Sequence, residues 1–455
     1  MRQFFGTDGV RGEANCYPMT ADFVLKLGMA AAHIFKDRDA SKKSQIVIGK
    51  DTRRSGYMLE SALVAGITSA GMDAIQLGPL PTPGIALMTK TLRASAGIVI
   101  SASHNPFFDN GIKFFNRDGF KLDDNVEEEL ERIVLENDVE RYTSRRGALG
   151  RARRIEGATE RYIEYCKGTF PRNMTLDGMK IVVDCANGAA YKVAPEVFSE
   201  LGAQTIAINT QPNGININEQ CGAVHPEGLA QAVISHGAEI GIALDGDADR
   251  LIVVDRHGNV IDGDQIIGVA ARFMHQRSLL KGGAVVTTVM SNLGLEHFLA
   301  GMNIKLIRTS VGDRYVLDRM RFGGFNLGGE QSGHLVFLDY ATTGDGIISA
   351  LQLLAIMVEN GRHIDELAAD IPRYPQVLVN RSVSEKVPLE NLPASQARIH
   401  DIEQALRGSG RVLVRYSGTE PKVRVMLEGD DEQTLKKYAD DIAECIVNEI
   451  AARGV

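Results

Sequence analysis

Short runs of Val, Ile, Leu and Ala alternate along the chain with longer segments in which apolar residues recur every three or four positions. Runs at 45–49, 74–77 and 97–101 read as strands, with helices at 55–70 and 84–91 between them and a helix at 21–35 ahead of the set. The rhythm returns with strands at 180–184, 205–208 and 240–244 and helices near 192–201 and 228–235. It returns again with helices at 264–276, 293–300, 314–321 and 346–359 and strands at 284–287, 305–307 and 325–327. Strands alternating with helices at this spacing predict parallel sheets built from β-α-β units. Runs apolar on both faces, such as 97–100, predict burial under helices. The three sets share this rhythm without close sequence identity.

From Pro372 onward the pattern changes. Strands at 377–380, 411–415 and 422–427 and helices near 396–406 and 432–452 predict a smaller α+β unit with a mostly antiparallel sheet. Junctions near 151–157, 255–258 and 371–374 divide the chain into segments 1–155, 156–255, 256–371 and 372–455. The arginine-rich stretch 141–154 reads as a solvated linker.

Composition narrows the class. The 455 residues are 44% hydrophobic and 24% charged, which excludes a disordered or collagenous chain. A net charge of -8 argues against a nucleic-acid partner. Five scattered cysteines without a CxxC pair argue against a zinc site or a disulfide framework and fit a reducing, cytoplasmic setting. The apolar stretch 347–358 is interrupted by Gln352 and falls short of the roughly 20 residues a membrane span needs.

Five polar constellations carry candidate chemistry. Asp245-Gly246-Asp247-Ala248-Asp249-Arg250 directly follows the predicted strand 240–244. Three carboxylates at alternate positions can converge on one cation, and an all-oxygen set suits Mg²⁺ or Ca²⁺. An EF-hand loop fails here, because Arg250 and Arg256 stand where that loop needs Gly and Glu. Ser101-Ala102-Ser103-His104-Asn105-Pro106 ends another strand, where α/β sheets bind ligands; it reads equally as a nucleophile loop or a helix N-cap. Arg415-Tyr416-Ser417-Gly418-Thr419-Glu420-Pro421, with Arg424 beyond, offers donors for a phosphate and also reads as a hairpin turn. Gly329-Glu330-Gln331-Ser332-Gly333-His334 could meet sugar hydroxyls and move a proton. Gly6-Thr7-Asp8-Gly9-Val10-Arg11-Gly12 reads as a tight turn or an anion contact. Phosphate-binding P-loop, nucleophile-elbow and dinucleotide-fold glycine signatures are absent from the sequence.

Together, and in their order along the chain, these segments resemble the α-D-phosphohexomutase superfamily, and within it the phosphoglucosamine mutase family. The resemblance covers essentially the whole chain. It implies an α/β fold of three related mixed α/β domains, their sheets sandwiched by helices, plus a smaller α+β C-terminal domain. It implies an isomerase that interconverts glucosamine 6-phosphate and glucosamine 1-phosphate through a 1,6-bisphosphate, feeding UDP-N-acetylglucosamine and cell-wall synthesis. Ser103 would carry a phosphoryl group and, with Asp245, Asp247 and Asp249, hold Mg²⁺. His104, Arg11, Lys113, Arg250 and His334 would assist catalysis. Glu330 and Ser332 would contact the sugar. Arg415, Ser417, Gly418, Thr419 and Arg424 would hold the phosphate that is not reacting. Glucosamine or glucose 1,6-bisphosphate would serve as activator, and a homodimer is compatible with the family. The alternative is a phosphomannomutase/phosphoglucomutase. Asp313 and Gln331 stand where those relatives usually carry His and Met, and an acidic residue at 313 would favour a cationic 2-amino group. Tyr416 replaces the Lys or Pro common in the cradle motif.

Overall fold

The computed structural model describes residues 3–6, 8–36, 44–136, 139–145, 147–417 and 421–453. They form two compact units, Met1–Thr288 with Ile307–Ala369, and Val289–Leu306 with Asp370–Val455.

The first unit holds three sheets. The first contains β1 (Phe5–Gly6), β2 (Gly9–Glu13), β3 (Gln45–Lys50), β4 (Asp73–Pro79), β5 (Ala96–Ile100), β6 (Asp109–Asn116) and β7 (Ala152–Arg154), in the order β1-β2-β6-β5-β3-β4-β7. β5, β3, β4 and β7 run parallel, and all residues of β3 and β5 are buried, as strands covered on both faces must be. The helix Ala21–Phe35 forms where the apolar period places it. The linker reading of 141–154 needs correction, because residues 152–154 form β7 and pair with β4.

The second sheet contains β8 (Lys180–Asp184), β9 (Gln204–Ile208), β10 (Ile240–Leu244), β11 (Leu251–Asp255) and β12 (Val260–Ile261), in the order β12-β11-β10-β8-β9. The third contains β13 (Ala284–Thr288), β14 (Lys305–Thr309), β15 (Leu327–Gly329) and β16 (Leu335–Phe337). The predicted strand 325–327 thus lies two residues later, as β15. The apolar run 347–358 lies inside the buried helix Gly346–Asn360. Among the described residues, no helix is long and apolar enough to cross a membrane.

The parallel pairing that the alternation of strands and helices predicts is joined by antiparallel pairing, so the sheets are mixed, as the resemblance implies. β6 runs antiparallel to β5, β11 to β10 and β16 to β15. The connections 101–108, 245–250 and 330–334 are too short for a parallel crossover, which takes a dozen or more residues, so the chain must turn straight back. Three of the polar constellations are therefore hairpin loops at strand ends.

In the second unit, β17 (Gln376–Ser382), β18 (Arg411–Tyr416) and β19 (Lys422–Glu428) form an antiparallel sheet in the order β17-β19-β18. Val379, Val423, Val425 and Leu427 of this sheet pack in one core with Leu435, Ile442 and Ile446 of the helix Glu432–Arg453. Here too the polar constellation 417–421 joins neighbouring antiparallel strands.

Candidate functional site

The loop after β5 leads into β6, not into a helix, which removes the N-cap reading of Ser103. Ser103 is 1% exposed, and its hydroxyl donates to Oδ2 of Asp245 at 2.6 Å. Asp245 opens the loop between β10 and β11, so the two hairpin loops face each other. Gly246 makes the approach possible, because a Cβ there would lie 2.6 Å from the Ser103 carbonyl oxygen. Ala248 turns the loop at φ +57°, and its N–H returns to the Asp245 carbonyl at 3.0 Å.

The three aspartates are buried, and one carboxylate oxygen from each lies within 4.8 Å of the others. Burial, then the charges of Asp249 and Asp247, pushes Asp245 well above the ordinary carboxylate range. Asp247 Oδ2 accepts from Thr82 Oγ1 at 2.6 Å and from Lys113 Nζ at 2.9 Å. Oδ1 of Asp247 and Oδ1 of Asp249 are buried and accept no hydrogen bond from the described residues. Buried carboxylate oxygens without donors are costly unless a cation meets them, and a hard all-oxygen set of this kind fits Mg²⁺.

A ring of charge surrounds the triad. Lys113, from β6, also lies 3.1 Å from Asp8 and 3.6 Å from Asp249. Burial opposes its charge, but these carboxylates outweigh burial and raise its pKa. Arg11, from β2, pairs with Asp8. Gly9 permits this turn, since at φ +80° a Cβ would lie 2.2 Å from the Ile112 carbonyl oxygen. Arg250 donates its backbone N–H to Asp245 Oδ1 at 3.2 Å. His104 Nδ1 lies 3.4 Å from Ser103 Oγ; burial and the guanidiniums of Arg250 and Arg11 lower its pKa to about 4. His334 lies 3.6 Å from Asp249 and 3.5 Å from Asp313. Burial disfavours its cation, yet the two carboxylates prevail and push it up to about 9. Glu330 accepts from the Gly312 N–H at 3.2 Å, and Ser332 lies 3.5 Å from Glu330.

Asp313 has a protein partner of its own. Lys121 Nζ pairs with it and also donates to Asp8 Oδ1 at 2.5 Å. A carboxylate already neutralised by Lys121 is poorly placed to select a cationic 2-amino group.

In the second unit, Arg415 and Arg424 stand directly opposite each other across β18 and β19. Burial, and then Arg424, lowers the pKa of Arg415. Like charges in a cross-strand pair repel unless an anion joins them. Ser417 is 2% exposed, and Arg424 Nη2 lies 3.3 Å from its hydroxyl. Gly418 and Thr419 lie outside the described residues, as does Thr7.

The sequence reading missed two contributors. Thr82 starts a helix at the carboxyl end of β4, a position where ligands gather in α/β sheets, so it could have been found. Lys121 follows β6 and carries no local signal.

Family models for phosphoglucomutase/phosphomannomutase match the chain in order. α/β/α domain I matches residues 2–141, domain II 160–258, domain III 262–374 and the C-terminal domain 378–445. A phosphoglucosamine mutase from Citrifermentans bemidjiense is 54% identical over 456 residues, covering 100% of both chains. A solved phosphoglucomutase/phosphomannomutase family protein from Burkholderia thailandensis superposes with a TM-score of 0.80 at 23% identity, covering 97% of both chains. N-acetylphosphoglucosamine mutase from Aspergillus fumigatus, solved with GlcNAc-6P and magnesium, gives a TM-score of 0.68 at 18% identity, covering 98% of this chain and 96% of that one.

Proposed function

The chain belongs to the phosphoglucosamine mutase family and is an isomerase, and from that premise we propose that it interconverts glucosamine 6-phosphate and glucosamine 1-phosphate through phospho-Ser103. The observation that carries this reading is the 2.6 Å hydrogen bond from Ser103 Oγ to Asp245, at the edge of a buried carboxylate triad. Four domains with boundaries 1–155, 156–255, 256–371 and 372–455 belong to the same proposal.

In the first transfer, O1 of glucosamine 6-phosphate attacks the phosphorus on Ser103. The P–O1 bond forms, the P–Oγ bond breaks, and the O1 proton leaves to a base. The 1,6-bisphosphate then turns around. Ser103 Oγ attacks the 6-phosphoryl group, the P–O6 bond breaks, and O6 takes a proton. Such transfers depend on position and charge neutralisation more than on covalent chemistry. His104, held neutral, can accept a proton at Nδ1. His334 and Lys113, held cationic, can donate one or balance phosphoryl charge. Arg11 and Arg250 orient the reacting phosphate, and Glu330 and Ser332 take the sugar hydroxyls. Arg415, Ser417, Gly418, Thr419 and Arg424 take the distal phosphate. Asp245, Asp247 and Asp249 would hold Mg²⁺ together with phospho-Ser103. When bound there, the ion neutralises charge on the transferring group. A 1,6-bisphosphate would charge Ser103 at the start, and the product would supply UDP-N-acetylglucosamine synthesis in the cytoplasm.

The test is phosphorus NMR of the protein with Mg²⁺ and a trace of glucose 1,6-bisphosphate, offered glucosamine 6-phosphate or mannose 6-phosphate. A 1-phosphate signal should grow faster from the amino sugar, and Ser103→Ala should abolish it. Faster growth from mannose would move the chain to the phosphomannomutase reading. Release of free phosphate alone would make it a phosphatase.

A further inference from the structure

Ser103 has φ +52°, in the left-handed region that a residue bearing a Cβ adopts only when its surroundings hold it there. Two side chains from outside the loop converge on its backbone. Arg53, fully buried, donates from Nη2 to the carbonyl oxygens of Ser103 at 3.1 Å and Asn105 at 2.5 Å. Asn218, 7% exposed, donates from Nδ2 to the same two oxygens at 2.9 and 3.1 Å. A carbonyl oxygen has two lone pairs. Four hydrogen bonds from two donor nitrogens therefore fill both carbonyls that flank His104.

Both donors are themselves fixed. Arg53 pairs with Asp51 through Nη1, and its backbone N–H donates to Asp51 Oδ1 at 2.8 Å. Asn218 lies on the connection after β9, at φ +58°, with its N–H on the Ala186 carbonyl at 2.9 Å. Its side-chain orientation is dictated by the carbonyls it faces, because an amide oxygen turned toward them would repel both. A Cβ on Gly246 would lie 2.9 Å from Asn218 Nδ2 and 2.6 Å from the Ser103 oxygen. The amide thus sits where the serine loop meets the carboxylate loop.

We propose that Arg53 and Asn218 are positioning residues for Ser103: together they clamp the carbonyls of Ser103 and Asn105, hold the left-handed bend, and keep Oγ aimed at Asp245. Neither donates to Oγ itself; both act through the backbone that carries it. The inference rests on Ser103 being the phosphoryl carrier. Loss of the clamp then lowers the rate of transfer and leaves the affinity for phosphosugar in place. A misplacement of about 1 Å at a reacting atom costs on the order of 100-fold in rate.

The test uses Asn218→Ala, which removes the donor, Asn218→Asp, which replaces it with an oxygen facing two oxygens at nearly unchanged volume, and Arg53→Lys. For each, kcat and KM for glucosamine 6-phosphate are measured alongside hydrogen–deuterium exchange of the peptide spanning 101–109. The clamp predicts a kcat loss of about 10–100-fold, a KM within about twofold of wild type, and exchange faster by about tenfold in that peptide alone. Asn218→Asp should be the more damaging of the two Asn218 variants. Unchanged exchange and unchanged kcat would overturn the proposal. So would a kcat loss matched by a KM rise, or exchange that quickens equally throughout β8, β9 and β10. Should an Asn218 variant fail to fold, Arg53→Lys reads the same two carbonyls from the other side. If wild type does not isomerise glucosamine 6-phosphate, the proposed function fails while the exchange measurement still decides the clamp.

Discussion

Asp345 shows how one buried carboxyl responds to its surroundings. Its Oδ1 accepts from the Ile348 N–H at 2.9 Å, capping the helix Gly346–Asn360, and its Oδ2 accepts from the Tyr162 hydroxyl at 2.8 Å. Burial outweighs these bonds and raises its pKa from the ordinary carboxylate range to about 6. An acid whose folded pKa is raised binds more protons folded than unfolded, so its contribution to stability falls as pH rises between those values. From about pH 4.5 to about pH 7.5 the loss amounts to about 2 kcal/mol. Asn keeps the cap acceptor and cannot ionise. The melting temperature of Asp345→Asn should therefore rise relative to wild type between these two pH values. A difference that does not change with pH would mean that Asp345 titrates normally.

At the scale of elements, the helix Asp124–Leu135 is tied to the helix Asp313–Gly323 by Arg314. Arg314 Nη1 donates to Glu127 Oε2 at 2.9 Å, with Arg314 7% and Glu127 2% exposed. Removing one partner of a buried pair strands the other charge and costs about 3–5 kcal/mol, whereas replacing both with apolar residues is often neutral. Arg314 also pairs with Asp124. Arg314→Met, which takes the shared guanidinium from both carboxylates, should therefore lower the urea midpoint clearly. An unchanged midpoint would show that this tie between the two helices contributes little to stability. The helix that carries Arg314 was legible, because its apolar period is strong; the partner helix was not read, because it is crowded with acidic residues. A similar limit governed the site. Strands β3, β5, β8 and β10 announced themselves by their apolar runs, and the polar loops after β5 and β10 stood out at their ends. The returning strands β6 and β16 stayed hidden. β6 carries Lys113 within its buried run, and β16 has three residues. β11, Leu-Ile-Val-Val-Asp, is an apolar run that the expectation of crossover helices obscured. Arg53 lies in Gly49-Lys50-Asp51-Thr52-Arg53-Arg54-Ser55-Gly56, a segment that shares in the family resemblance, but the clamping role of Arg53 and Asn218 is not written in local pattern, since it lies in backbone atoms 50 and 115 residues away.

Across the whole molecule, the triad and the arginine pair belong to different compact units, and this separates what a metal should do from what a phosphate should do. The first unit folds with three aspartates converging and with Oδ1 of Asp247 and Asp249 lacking donors among the described residues. A cation that binds only the folded form stabilises it by about 2.7 kcal/mol at 100 times its dissociation constant. Scanning calorimetry with saturating Mg²⁺ should therefore raise the melting temperature of the first unit above its value in chelator. The second unit, whose charge pair is cationic, should gain nothing from the metal directly. Asp247→Asn keeps an acceptor for Lys113 and Thr82 but removes a charge that faces the cation. In chelator the variant relieves repulsion among the carboxylates but takes the nearest counter-charge from buried Lys113, so each protein's Mg²⁺ shift is read against its own melting temperature in chelator. The variant should lose most of the Mg²⁺ shift. A wild-type melt insensitive to Mg²⁺ would sink the metal site, and an undiminished shift in Asp247→Asn would move the cation away from the loop between β10 and β11.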